Sequence, residues 1–302
     1  MNQTDSTGKV INFPGKTVSK TDLIGQTNIR NRNSKAQVIA ITSGKGGVGK
    51  TNIVANLGFA LSQMGKRVLI LDADLGLGNI DVLLGLTPKY NLSHVVMGEK
   101  AISDIVIEGP MKLKILPASS GIQELTQLTE DQRIRILAEL DLVLDSIDFL
   151  LIDTATGISS NIMYFNVTAQ EILVVVTPEP TSMTDAYALM KVISLKYSEN
   201  NFRLLVNLAA SSREAHEIFR QLTMVSNRFL DISIEYLGYV LADENVTNSV
   251  KRQRLVCDIF PDSRGSKCFA ELAEQICKLS SLKQPEGDSN FLWDKLLQNN
   301  FE

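Results

Sequence analysis

Ser43-Gly44-Lys45-Gly46-Gly47-Val48-Gly49-Lys50-Thr51-Asn52 is the stretch that decides the fold. Gly44 to Thr51 fits the spacing G-x-x-x-x-G-K-[ST] of a phosphate-binding loop. Glycines at Gly44, Gly46, Gly47 and Gly49 let successive backbone N–H groups, including that of Val48, turn inward around phosphate oxygens, where side chains would clash. Lys50 is then placed to reach the β- and γ-phosphates, Thr51 to ligate Mg²⁺ through its hydroxyl, and Asn52 to follow on the same helical turn. The flanks agree with this reading. Upstream, Ala36-Gln-Val-Ile-Ala-Ile-Thr42 is a β-branched run suited to a buried strand; downstream, Ile53, Leu57, Ala60, Leu61 and Met64 recur at helical spacing until Gly65. A second lysine, Lys45, stands directly after the first glycine.

Working outward, strand-like runs appear at 67–72, 113–117, 148–153, 171–177, 202–207 and 234–241, with amphipathic helical stretches between them at Asp131–Leu144, Thr184–Tyr197 and Arg213–Arg228. Near-continuous hydrophobic strands alternating with helices predict an α/β fold: a single phosphate-loop domain with a mostly parallel central sheet and helices on both faces. At 302 residues and 44% hydrophobic content, the chain suits one large domain over residues 36–283. Ligands of such sheets gather at the carboxyl ends of the strands, and three further motifs fall there. Asp72-Ala-Asp74-Leu-Gly-Leu-Gly-Asn-Ile-Asp81 puts carboxylates at a strand end before a glycine loop, where Asp74 is suited to orienting a water for attack on a γ-phosphate. Leu150-Leu-Ile-Asp153-Thr-Ala-Thr-Gly157 ends an apolar strand in one acid, the arrangement by which an aspartate holds the Mg²⁺ shell beside Thr51. Asn207 and the segment Leu241-Ala242-Asp243 close the last two strands, where a base would lie: Asn207 offers an amide, 241–243 its backbone, although a capping Asn and a turn Asp read equally well.

With these residues in place, the loop Lys45 to Thr51 resembles the deviant Walker A motif of the MinD/ParA ATPases, Asp72-Ala-Asp74 their switch I and Asp153-Thr-Ala-Thr-Gly157 their switch II. Within that superfamily, Asp74-Leu-Gly-Leu-Gly-Asn-Ile-Asp81 and Thr177-Pro-Glu-Pro-Thr-Ser-Met-Thr-Asp-Ala-Tyr-Ala-Leu-Met-Lys191 are similar to the FlhG/FleN branch, which sets flagellar number and placement. The resemblance implies a slow, regulatory ATP hydrolase with ATP and Mg²⁺ as cofactors and an ATP-dependent homodimer. It gives Lys45 the role of crossing to the partner's phosphates, as an arginine finger does elsewhere, with Lys50 and Asp74 completing the catalytic set. As partners it implies the SRP-type flagellar GTPase FlhF, a flagellar transcription factor or C-ring protein, and the inner-membrane surface. It places the protein in the cytoplasm, reversibly at the cytoplasmic face of the inner membrane, with a cell pole as one expected position. A partition-type ATPase binding non-specific DNA shares every nucleotide motif; it needs a basic track, and only Lys251-Arg252-Gln-Arg254 offers one.

The two ends of the chain read differently from its centre. Residues 1–35 carry Lys9, Lys16, Lys20, Arg30, Arg32 and Lys35 against Asp5 and Asp22, are rich in Asn, Thr, Ser and Gly, and read as a flexible or partner-folded basic arm within a chain whose net charge is −4. The short Asp-Gln-Ala motif with which some FlhG-like proteins stimulate FlhF is missing from this arm. After a linker beginning at Gln284, an amphipathic helix would gather Leu292, Trp293, Leu296, Leu297 and Phe301 on one side. FlhG-like and MinD-like proteins bind membranes through a helix in this place. Here Lys295 is its single basic residue, so contact with lipid rests on apolar area, and docking on the protein's own domain is the competing reading. No apolar run reaches the roughly 18 residues that span a bilayer. Cys257, Cys268 and Cys277 match no zinc or redox spacing, and His94 and His216 stand apart from other ligand candidates.

Overall fold

A computed structural model describes residues 36–118 and 128–282. The arm 1–35 and the tail, including Leu292, Trp293, Leu296, Leu297 and Phe301, lie outside the described residues. The strands are β1 (Gln37–Thr42), β2 (Val68–Ala73), β3 (Ile107–Glu108), β4 (Lys114–Leu116), β5 (Phe149–Thr154), β6 (Glu171–Val176), β7 (Asn201–Ala209) and β8 (Ser233–Leu241). The described helices of eight or more residues are α1 (Lys50–Gln63), α2 (Glu130–Leu144), α3 (Ser160–Thr168), α4 (Pro180–Tyr197), α5 (Ser212–Phe229), α6 (Glu244–Lys251) and α7 (Arg264–Leu282).

The strands form one sheet in the order β3-β4-β2-β5-β1-β6-β7-β8. Every pairing is parallel except β3 with β4. β1 is central because it can be: Val38 to Ile41 are all buried, so the strand has apolar side chains for both faces. Ile39 and Ile41 pack with α1 and α7 on one face, while Val38 and Ala40 pack with α2 and α3 on the other. On that second face α4 and α5 cover Ile172, Val174, Leu204 and Val206 of β6 and β7. The order reverses at β1, which pairs with β5 on one side and β6 on the other, and this opens the crevice in which the phosphate loop sits.

The expected strands are found within a residue or two of their ends, and β7 runs on to Ala209. Helix α4 begins at Pro180, four residues before the periodicity predicted, since a proline at the first helical position gives up no needed N–H and fixes φ for the turn. β3 is a two-residue antiparallel edge, too short to leave a pattern. No described helix is long and apolar enough to cross a membrane.

At the end of the sheet away from the crevice, a buried ion pair ties the strands together. Arg203 Nε donates to Glu171 Oε2 at 2.7 Å, Arg203 Nη1 meets Glu235 at 3.2 Å, and Gln37 Nε2 donates to Glu171 Oε1 at 2.8 Å. Four neighbouring strands are thereby joined by one network, with both charges of the central pair almost fully shielded. Removing Glu171 leaves the buried Arg203 charge with only the exposed Glu235 to offset it. Glu171→Ala should therefore lower stability by about 3–5 kcal/mol in urea unfolding; a loss below about 1 kcal/mol, the level of an exposed pair, would show that the network is not a buried one.

Candidate functional site

The loop between β1 and α1 takes its shape from its glycines. Gly47 and Gly49 have φ of 80° and 88°, a left-handed backbone that side chains resist, and Gly49 is the N-cap of α1. A Cβ on Gly44 would stand 2.2 Å from the Asp185 carbonyl oxygen, so the start of the loop runs directly against the backbone of α4. Ser43 Oγ donates to the Lys45 carbonyl at 2.9 Å, and Gly157 N donates to the Ser43 carbonyl at 3.4 Å, stitching the loop to the segment after β5. The first N–H groups of α1 have no partners within the helix and face the same concavity, a ready-made anion site.

Lys50 and Thr51 open α1, with Lys50 only 8% exposed. Asp153 and Asp72 are register partners across β5 and β2, both buried at strand ends. Burial, reinforced by the Asp153 charge, pushes the Asp72 carboxyl up to about 8, against the backbone N–H groups of Ile80 and Asp74 that stabilise its charged form. Burial likewise pushes Asp153 up to about 6, opposed by the nearby Lys50 charge and a hydrogen bond from Thr51. Asp72 accepts from the backbone N–H of Asp74, Asn79 and Ile80 at 3.2, 3.0 and 3.2 Å, so it anchors the whole glycine loop 74–80. Asp74 is half-buried, accepts from Leu77 N at 3.1 Å, and acts electrostatically on both other carboxyls. Lys50, Thr51, Asp74 and Asp153 thus converge.

The residues expected near a base also make contacts within the fold. The Asn207 amide donates to the Val48 carbonyl at 2.7 Å, bracing the phosphate loop. In the 241–243 segment, Ala242 N donates to Ala209 O at 2.9 Å, and the Asp243 carboxylate accepts from Asn245 N and Gly265 N, both at 2.9 Å. These groups are already used by the fold, because Asp243 caps α6 and joins it to α7. A cavity of about 270 Å³ nevertheless lies beside them, bounded by Gly49, Asn52, Asn207, Leu208, Leu241 and Val250. It is a predominantly apolar slot at the mouth of the loop, suited to a flat purine. Sequence reasoning missed Leu208, held at φ 58° where β7 slips register against β8, and the α6 residue Val250; nothing local to either residue announces the cavity.

Lys45 is the remaining motif residue. Its ammonium donates to the Glu179 carboxylate and, at 3.0 Å, to Thr181 Oγ1, at the start of α4. Neither partner was foreseen, because the contacts close a loop of more than a hundred residues.

Whether the site fits a divalent cation is tested by Asp153 itself: its Oδ1 is fully buried and has no hydrogen-bond partner. An orphaned carboxylate oxygen beside a threonine hydroxyl is a hard oxygen donor set, the kind Mg²⁺ takes together with phosphate oxygens. A family model described as an AAA domain matches residues 36–206. The chain is 43% identical to the antiactivator FleN of Pseudomonas aeruginosa, over 87% of its length and 94% of that protein. It is 32% identical to the flagellum site-determining protein YlxH of Helicobacter pylori, over 82% and 85%. Among solved structures, the cell division ATPase MinD of Pyrococcus furiosus superposes with a TM-score of 0.69 at 26% identity, covering 81% of this chain and 99% of that one. The septum site-determining protein MinD of Pyrococcus horikoshii, complexed with Mg-ADP, gives 0.69 at 25% identity, covering 82% and 99%. The chain belongs to the MinD/ParA family of ATPases, on its FleN-like branch.

A MinD/ParA-type ATPase uses ATP and Mg²⁺, and the residues here fit both. Thr51 and Asp153 would hold the cation, whose chemistry is to draw off charge from the phosphates. Asp153 and Asp72 are carboxyls that the fold favours in the neutral form. Their contribution to stability is full below the usual carboxylate range and is lost as pH rises through about 6 and about 8. Metal-free protein should melt at lower temperature at pH 8 than at pH 5, and Mg-nucleotide should narrow the gap by favouring the charged Asp153. Asp153→Asn, which cannot ionise, should lose part of the metal-free slope together with the Mg²⁺ dependence of nucleotide affinity. Nucleotide titrations with and without Mg²⁺ decide the matter: full Mg²⁺ dependence in the variant would remove Asp153 from the metal site.

Proposed function

We propose that this chain is an ATP-switched dimer that regulates flagellar number and placement, hydrolysing ATP slowly to time its own return to monomers. The observation that carries this reading is the near-complete coverage of FleN at 43% identity, joined to an intact hydrolytic set in the fold. Backbone N–H groups of the loop and Lys50 bind and orient the phosphates, Thr51 and Asp153 place the cation, and Asp74 positions the attacking water. Asp72, by fixing the backbone at Asp74, Asn79 and Ile80, sets where that water-positioning carboxylate stands.

Lys45 is the one cation of the motif whose contacts lie on the surface of α4, with a third of its side chain exposed. That placement supports a role across a dimer interface, where it would neutralise developing charge on the partner's nucleotide. FlhF, a flagellar transcription factor or C-ring protein and the cytoplasmic face of the inner membrane, at a cell pole, are the partners and place consistent with the FleN-like branch. A DNA-tracking role has less support: Arg254 is paired with Asp258 and Arg252 sits over the Phe260 ring, so the basic segment 251–254 is partly engaged within the fold.

Lys45→Ala should abolish ATP-dependent dimerisation in sedimentation experiments and lower hydrolysis by about a hundredfold, the usual effect of removing one donor from a transition-state charge. A variant that dimerises and hydrolyses like its parent would end the cross-dimer assignment. Separately, deleting residues 290–302 should reduce co-sedimentation with anionic liposomes in ATP; unchanged sedimentation would mean that this segment, with its single tryptophan, is not the membrane anchor.

A further inference from the structure

The contact between Lys45 and Glu179 carries an inference beyond the cross-dimer role of Lys45, on which it rests. We infer that Glu179 is a positioning residue that holds Lys45 within its own subunit until nucleotide from a second copy competes for it.

Glu179 is the N-cap residue of α4, yet its side chain makes no capping hydrogen bond to the helix. Its carboxylate is given over to Lys45. Electrostatically the lysine has no reason of its own to rest there. The first turn of a helix carries partial positive charge, which repels an ammonium. Thr181, the second residue of α4, supplies a neutral acceptor at 3.0 Å but no counter-charge. Glu179 therefore offsets the repulsion, and without it the helix end would drive Lys45 away.

The geometry is fixed by backbone and not by two wandering side chains. Gly44, next to Lys45, lies against the Asp185 carbonyl one turn further along α4, with no room for a Cβ between them. The lysine is thus tethered beside Glu179 each time the loop forms, which lowers the entropy cost of the pair.

The strength also suits a latch. Glu179 and Lys45 side chains are 59% and 35% exposed, so their pair belongs to the weak class of solvent-screened ion pairs. Such a pair biases an equilibrium by a factor of about three. A polyphosphate in a water-excluded interface, with several negative charges, outcompetes one exposed carboxylate. A two-fold dimer must open two latches at once, so the bias is squared, to about tenfold in the dimer dissociation constant. The consequence is a threshold: the subunit binds nucleotide alone without presenting its lysine, and presents it only as the second copy docks.

The experiment measures the dimer dissociation constant by analytical ultracentrifugation in a non-hydrolysable ATP analogue and Mg²⁺, for the parent, Glu179→Gln, Lys45→Ala and the double variant. Thermal unfolding of the nucleotide-free proteins confirms that each is folded. The inference expects Glu179→Gln to dimerise about tenfold more tightly, and the double variant to dimerise no better than Lys45→Ala alone. Unchanged or weaker dimerisation of Glu179→Gln overturns the latch, as does a gain that persists without Lys45, which would reflect general charge repulsion. Parental dimerisation by Lys45→Ala overturns the cross-dimer reading beneath it; a lost Lys45→Ala dimer with an unmoved Glu179→Gln overturns the latch alone.

Discussion

The phosphate loop is clamped at two points where only glycine fits, and most of what the protein does depends on that clamp. At Gly44 the chain touches the backbone of α4; at Gly49 it leaves no more than 2.5 Å between a would-be Cβ and the Asn207 amide nitrogen. Between these points the loop has one path, from the end of the central strand β1 to the first turn of α1. The path fixes which way the N–H groups face, and with them the position of any bound phosphate. Because α4 follows β6, the neighbour of β1, and Asn207 lies near the end of β7, the next strand on the same side, loop geometry is inherited from strand order. A cavity-lining change in β7 is therefore also a change in the phosphate site, through the hydrogen bond from Asn207 to Val48.

The same end of the sheet concentrates buried carboxyls that Lys50, Thr51 and backbone N–H groups offset only in part. Asp72 and Asp153 stand side by side with Lys50 close to the second of them, and both carboxyls are pushed toward neutrality by burial. A core built for stability alone would place apolar residues there. The arrangement costs stability in the metal-free protein and is offset once cation and phosphate arrive, so that ligand binding and rigidity of the switch loops are coupled through the same atoms. The opposite end of the sheet shows the contrast: Arg203, Glu171, Glu235 and Gln37 satisfy one another within the chain.

Much of this was legible in the sequence, because it is written locally. The run Gly44 to Thr51, the strand-terminal Asp74 and Asp153, and the long apolar strands each declare themselves within about ten residues, and the structure brings them together as expected. What was not legible is of longer range. Nothing near Glu179 in sequence points to Lys45, and nothing near Asn207 points to Val48, whose carbonyl its amide braces. Ala242 and Asp243 are consumed by Ala209, Asn245 and Gly265, partners that spacing does not reveal. Leu208 adopts a left-handed backbone that leucine disfavours by roughly 1–2 kcal/mol, a cost only the β7–β8 slip imposes. β3, two residues long, carries too little periodicity to be read at all.

The symmetry of the proposed dimer constrains which surfaces meet. If Lys45 of each copy reaches the other's site, a two-fold axis must pass between the two phosphate loops, and the same patch faces itself. The loops that follow β2 and β5 sit at this end of the sheet, and each exposes an apolar tip: Leu77 is 70% and Ile158 58% exposed. Large apolar side chains on glycine-containing loops are poorly placed in water, and both loops are tethered to the chemistry, one through Asp72 to Asn79 and Ile80, the other through Gly157 to Ser43. A copy docking across the axis would cover such tips, so the loops proposed to register the γ-phosphate are also the ones positioned to supply apolar contact. Loss of that phosphate would then loosen interface and catalytic site together, with no separate relay between them.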